Sequence, residues 1–325
     1  MRGIAILLVV VGHVIGSDPS GGMQIDFPHP LRYIYVWIDY IQMPLFTAIA
    51  GWVYALKPFT ASSGFKKFAM KKALRLLVPM AAVATLYFLV QYFIPGTNKK
   101  GELTEMWRIY VFPYTIYWYL PSLFLIFVAQ WWLDKKGWMG NHLRRWVGCL
   151  LFALFLCYAE RHIISWEVPN LFSFKGAFNQ LPYFVLGVGV QRFGGLLYGR
   201  WLYVAYILGA AVGIVLLQLE WFFALGGVLW NELWQPVWVL ATLMLLLRSK
   251  WQNRFLSWLG GYAYSIYLFH GFGTSGGRIL LKWIGVKVMT PIFCTATLMA
   301  TFFPIGVDWV CSRYRMLRVI FLGKR

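Results

Sequence analysis

"RGIAILLVVVGH" occupies residues 2–13. An arginine opens an apolar run and a histidine closes it, inside a segment that stays apolar to Ile15. At 1.5 Å per residue, Gly3–Ser17 covers about 22 Å against a hydrocarbon core of about 30 Å, so the stretch reads as a short first membrane helix. It also mimics a leader peptide, with its basic start and small residues near Gly16. Nine further apolar spans make the membrane helix the preferred reading. Eleven steps of about 100° bring Arg2 and His13 onto one face, about 16 Å apart along the axis. With Arg2 at the inner surface, His13 lies near the bilayer midplane, where an ionisable group is a functional candidate by default. The competing reading is a histidine merely hydrogen-bonded between helices.

The remaining sequence agrees with the opening. Hydrophobic residues make up 60% of the 325 positions and charged residues 13%, whereas a soluble domain carries about 25% charged residues. The chain therefore reads as an all-α, polytopic integral membrane protein. Apolar spans are expected near residues 3–17, 34–56, 76–95, 114–133, 146–162, 178–194, 201–218, 226–247, 256–272 and 290–311, about ten transmembrane helices in one membrane-embedded domain over 1–325. With the N-terminus inside, 21 of the Lys and Arg residues fall on inner segments and 9 on outer ones, which places both termini in the cytoplasm. The net charge of +19 is then a feature of topology and anionic membrane lipid, not of nucleic-acid binding. Cys149, Cys157, Cys294 and Cys311 lie in or beside apolar runs without Cys-x-x-Cys spacing. They read as small buried hydrophobes, with no metal site.

Five stretches then point to a family. Arginine, ten residues and histidine in the first helix resemble the acyltransferase family 3 of bacterial membrane O-acyltransferases. "MPLFTAIAGWVYAL" (43–56) resembles that family's second helix, with Ala50 where serine usually precedes the glycine. "FKKFAMKKALRLLVP" (65–79) is similar to its basic loop, with Lys72 and Arg75 standing where Arg-x-x-Arg is usual. "YWYLPSLFLIF" (117–127) and "LGGYAYSIYLFH" (259–270) resemble two later segments, in the family's order.

The resemblance implies an O-acyltransferase, most often an O-acetyltransferase, of the bacterial inner membrane. An acyl group would pass from cytoplasmic acyl-CoA, usually acetyl-CoA, to a hydroxyl of a carbohydrate or lipid-linked glycan, with no permanently bound cofactor. Arg2, Lys72 and Arg75 suit the donor's phosphates, arginine being able to hold two oxygens at once. For Lys66, Lys67 and Lys71 ordinary positive-inside charge is the preferred reading. A sugar hydroxyl needs a base, and imidazole is best matched in pKa, so His13 is the expected general base. An acyl-histidine intermediate stays open.

A catalytic histidine wants a partner. Counting from the span edges, Asp39 lies about 8 Å deep, Glu232 about 9 Å deep, and His270 about 21 Å above the inner end of its helix. His13, Asp39, Glu232 and His270 are therefore expected to form a polar layer in the outer half. Asp308 falls near the inner surface as an expected partner of Arg313 or Arg315. Tyr264, Ser265 and Tyr267 bring hydroxyls that serve either an oxyanion or interhelical bonding. Trp166, Phe172 and Phe174 suit either an interfacial belt or a sugar-stacking surface. The runner-up class is a transporter or flippase of glycan precursors, which would also bury acids and histidines. Its signature of paired, broken helices in related halves is missing from the sequence.

Overall fold

The computed structural model describes residues 1–57, 64–98, 100–139, 142–223, 234–249 and 252–324, with the backbone alone over 216–223. Helices account for nearly all regular structure, and no strand occurs among the described residues. Among the described residues, three segments are long and apolar enough to cross a membrane: Phe65–Phe93, Leu103–Lys135 and Met289–Arg313.

Helix α1 (Arg2–Ile15) is almost wholly apolar and packs against α2 (Pro30–Ala55). It stops at Gly16, whose φ of +101° suits glycine alone, and the chain folds back so that Met23 N–H donates to the Ile15 carbonyl. Pro30 sits at the first turn of α2, and the His29 ring accepts from Leu31 N–H at 3.2 Å. Helix α3 (Phe65–Phe93) runs about 43 Å and leaves its basic first turns beyond the apolar part.

Next come α4 (Tyr119–Lys135), α5 (Leu143–His162) and α6 (Phe174–Arg192), with α6 packed on both α4 and α5. The backbones of α2 and α6 meet face to face. A side chain added at Gly51 would strike the Phe184 carbonyl, and one at Gly187 the Ala48 carbonyl. Close contact of this kind replaces the hydrophobic drive that lipid cannot supply between helices. Helices α7 (Arg200–Phe223) and α8 (Gln235–Arg248) pack on one another, and α8 also on α2.

The span expected over 256–272 is broken. A short α9 (Arg254–Gly261) ends at the Gly260–Gly261 pair, and α10 (Ala263–Trp283) restarts and runs well beyond the expected end. Two successive glycines weaken helix enough to allow the break. Helix α11 (Met289–Arg313) packs along α10, and the short α12 (Arg315–Leu322) folds back onto α3.

Asp308 corrects an expectation. Its carboxylate takes Lys324 at 2.8 Å, Ser312 at 3.2 Å and a close bond from Ser265, not Arg313 or Arg315. The reason is the turn into α12, which brings Lys324 back over α11, while Arg313 lies across the Trp309 ring at 3.5 Å.

Candidate active site

Helix α1 reaches two cavities. The one at its Arg2 end, here the lower, holds about 580 Å³ and is lined by Arg2, Lys57, Lys67, Lys71, Lys72 and Arg75 with an aromatic floor. Six cations and no carboxylate stand among its described lining residues. The three expected cations are therefore together, and so are Lys67 and Lys71, for which the sequence favoured plain topology. The family-like motif pointed only to the first turns of α3. That the whole basic face curls round one hollow, with Lys57 from the end of α2, is a tertiary fact.

The two motif residues of α3 are held differently. Lys72 lies with its ammonium 3.3 Å from the Phe127 ring centre and 5.6 Å from that of Phe68. Arg75 is exposed, and its carbonyl rather than its guanidinium is engaged, accepting from the Tyr264 hydroxyl. Its planar fork is thus presented to the cavity.

The upper cavity, at the His13 end, holds about 400 Å³. Its wall includes His13, Asp39, Gln42, Tyr87, Gln91, Asn98 and Arg278. His270 lies behind His13, with ring centres 5.0 Å apart and planes inclined by 27°. It is fully buried and does not line the cavity. Its Nδ1 faces the carbonyls of Tyr267 at 2.8 Å and Ile266 at 3.1 Å, so Nδ1 carries the proton and Nε2 the lone pair. That Nε2 has no hydrogen-bond partner.

Asp39 shares the cavity with His13 but does not bond to it. Its Oδ1 accepts from the Tyr35 hydroxyl at 2.8 Å and Gln42 Nε2 at 3.0 Å. These donors lie four residues before and three after it, on the same helical face. Gln42 Oε1 is left buried without a donor. Two acceptors without donors, Gln42 Oε1 and His270 Nε2, thus belong to the same neighbourhood as the His13 ring. Glu232, the fourth expected member of this layer, lies outside the described residues.

None of the three α10 hydroxyls singled out in the sequence faces this cavity. Tyr264 donates to Arg75, Ser265 to Asp308, and Tyr267 to the Ile116 carbonyl. All three hydroxyls are engaged in bonds to other segments, the role the sequence favoured for at least two of them. In the outer loop Trp166 is 86% exposed, in keeping with the interfacial belt that the sequence favoured, and neither it nor Phe172 or Phe174 lines the upper cavity. The aromatic side chains that do, besides His13, are Tyr35, Tyr87 and Trp118.

Between the cavities stand three rings. Phe46 lies between Met43, which lines the upper cavity, and Ala50, which lines the lower. Tyr119 is likewise set between Trp118 and Leu123, and Tyr267 between Gly271 and Tyr264. Their ring centres are 5.6–6.2 Å apart in all three pairs. Each falls inside a family-like stretch, but nothing in the sequence marks them as one cluster, because they stand on three different helices and each looks like ordinary core.

A helical membrane protein with a polycationic hollow at one end of a helix and a histidine-lined hollow at the other is the class that fold and site define. The model of the acyltransferase domain family, the acyltransferase 3 family, matches residues 1–309, and the chain belongs to that family. It is thus a membrane acyltransferase in the general sense. Neither a curated protein nor a solved structure matches the chain.

Proposed function

We propose that the protein is an O-acyltransferase that carries an acyl group, most simply acetyl, from acyl-CoA to a hydroxyl of a carbohydrate or lipid-linked glycan. The observation that carries this reading is the pair of cavities on α1, one whose described charged lining is all cationic and one holding His13. The donor's phosphates bind among Arg2, Lys72 and Arg75, where charge-assisted bonds to phosphate are strongest. Its arm reaches up along α1, about 16 Å from Arg2 to His13 by helical rise, past Phe46, Tyr119 and Tyr267.

In the upper cavity the acceptor hydroxyl donates to a ring nitrogen of His13. As its oxygen attacks the thioester carbonyl, His13 takes the proton, the new C–O bond forms and the C–S bond breaks. The released thiolate leaves as CoA, and the imidazolium returns the proton to it. His270 acts through His13, as a positioning residue whose ring fixes that of His13 from behind. Gln42 Oε1 is placed to accept from a second acceptor hydroxyl. In this reading the basic ends of the helices face the cytoplasm of a bacterial inner membrane, crossed about ten times, with both termini inside. Glu232 keeps its expected role as a member of the polar layer around His13.

The test uses purified protein, labelled acetyl-CoA and envelope glycans. The parent should label glycan, and His13→Ala should lower the rate by about 10²–10⁴-fold while still binding CoA. Undiminished labelling by the variant refutes the role of His13. Saturable glycan uptake into vesicles without CoA binding would refute the enzyme and favour transport.

A further inference from the structure

A third hollow is distinct from both of these. A groove of about 800 Å³ runs between α4, α5 and α6, and the proposal about it does not depend on the acyl-transfer reading. Its walls are apolar, with Ile126, Ala129, Cys149, Phe152, Phe178 and Leu181 among them. It extends along α6 from Phe174 to Val185, about 16 Å by helical rise, close to the roughly 15 Å depth of one leaflet of hydrocarbon.

One end is different. Lys136, Trp138 and Arg145 close the groove where α4 ends and α5 begins. Both cations are exposed, and neither forms an ion pair among the described residues. Arg145 reaches only the Gly137 carbonyl, at 3.3 Å. The one nearby carboxylate, Asp134, is already taken by Arg192 at 2.6 Å and the Tyr54 hydroxyl at 2.7 Å. Trp138 stands beside them, as interfacial tryptophans do at headgroup level.

A leaflet-deep apolar slot capped by two uncompensated cations and a tryptophan has the chemistry of one ligand. We infer that this groove binds an anionic phospholipid, with an acyl chain along α6 and the phosphate between Lys136 and Arg145. Basic pockets between membrane helices bind anionic headgroups for this reason. The lipid comes from the leaflet that the basic helix ends face.

The test is native mass spectrometry of the purified full chain, titrated with phosphatidylglycerol or phosphatidylcholine of equal chain length. The parent should retain one phosphatidylglycerol in preference to phosphatidylcholine. Lys136→Gln with Arg145→Gln should weaken phosphatidylglycerol binding by about 25-fold, roughly fivefold per charge, and leave phosphatidylcholine unmoved. A second variant needs no charge change. Gly148 lines the groove, and a side chain there meets nothing within 4 Å. Gly148→Phe should therefore fill the slot and block both lipids while the protein still elutes as a single species. Equal retention of the two lipids by the parent, or unchanged binding in Gly148→Phe, overturns the proposal. So does displacement of phosphatidylglycerol by a lipid-linked glycan, which would make the groove an acceptor site.

Discussion

Arg75→Ala and Lys72→Ala should fail in different ways, although the two residues stand three apart on one helix. Arg75 is exposed in the lower cavity, and its guanidinium has no ion-pair partner among the described residues. Its loss removes charge-assisted bonds to phosphate, worth about 1.5–3 kcal/mol in general. Five other cations line the same hollow, so the lower figure applies, which is about a tenfold rise in the KM for acyl-CoA. Thermal stability and the KM for acceptor should not move. Lys72 lies 3.3 Å from the Phe127 ring centre, with the ring centres of Phe68 and Tyr54 at 5.6 and 5.9 Å. Removing it costs a partly buried cation–π contact of about 1–2 kcal/mol besides donor affinity, so the protein should also melt earlier in detergent.

Salt provides an internal control. At 1 M the screening length falls to about 3 Å, so the donor-binding gap between parent and Arg75→Ala should narrow. The assay is steady-state transfer with each substrate varied in turn, beside a detergent melting curve. A variant at Arg75 that raises the acceptor KM and leaves the donor KM alone would refute the assignment of the lower cavity.

Other substitutions probe the upper half. His270→Gln should leave acyl-CoA binding intact and lower the turnover with bound substrates, since His270 lines neither cavity and reaches the upper one only through His13; a change in KM alone would assign it elsewhere. Phe46→Ala opens one edge of the three-ring partition and should shift preference toward longer acyl groups by about fourfold per methylene, at about 0.8 kcal/mol each, measured as acetyl against butyryl transfer. An unaltered ratio would remove the partition from acyl selection. Gly187→Leu drives a side chain into the α2 backbone and should abolish a monodisperse, folded species on size-exclusion chromatography. A well-folded variant would mean that α2 and α6 are free to part.

Much of this was legible in the residues. The apolar spans and the basic segments between them follow from what lipid and water tolerate, and these constraints act locally. The Arg2–His13 relation follows from helical periodicity alone. The break at Gly260–Gly261 was also written there, but the apolar run across it hid it, because hydropathy does not register backbone freedom.

Contacts across the chain were not legible. Asp39 was expected beside His13 because depth in the membrane was the only coordinate the sequence supplied, and depth says nothing of direction around a helix. The structure turned that carboxylate to its own helix neighbours and stacked His270 behind His13 instead. The hydroxyls of Tyr264, Ser265 and Tyr267 were likewise spent on partners in other helices. Sequence by itself determined that the chain is helical and apolar enough for lipid, and which face of α1 carries its two polar residues, since those follow from solvation and helical pitch. Only the tertiary packing decided that six cations share one hollow, that three rings part it from the histidine, and which acid answers which base. Those outcomes depend on how helices rotate against one another, and that is fixed by close contacts such as Gly51 on Phe184, not by any local pattern.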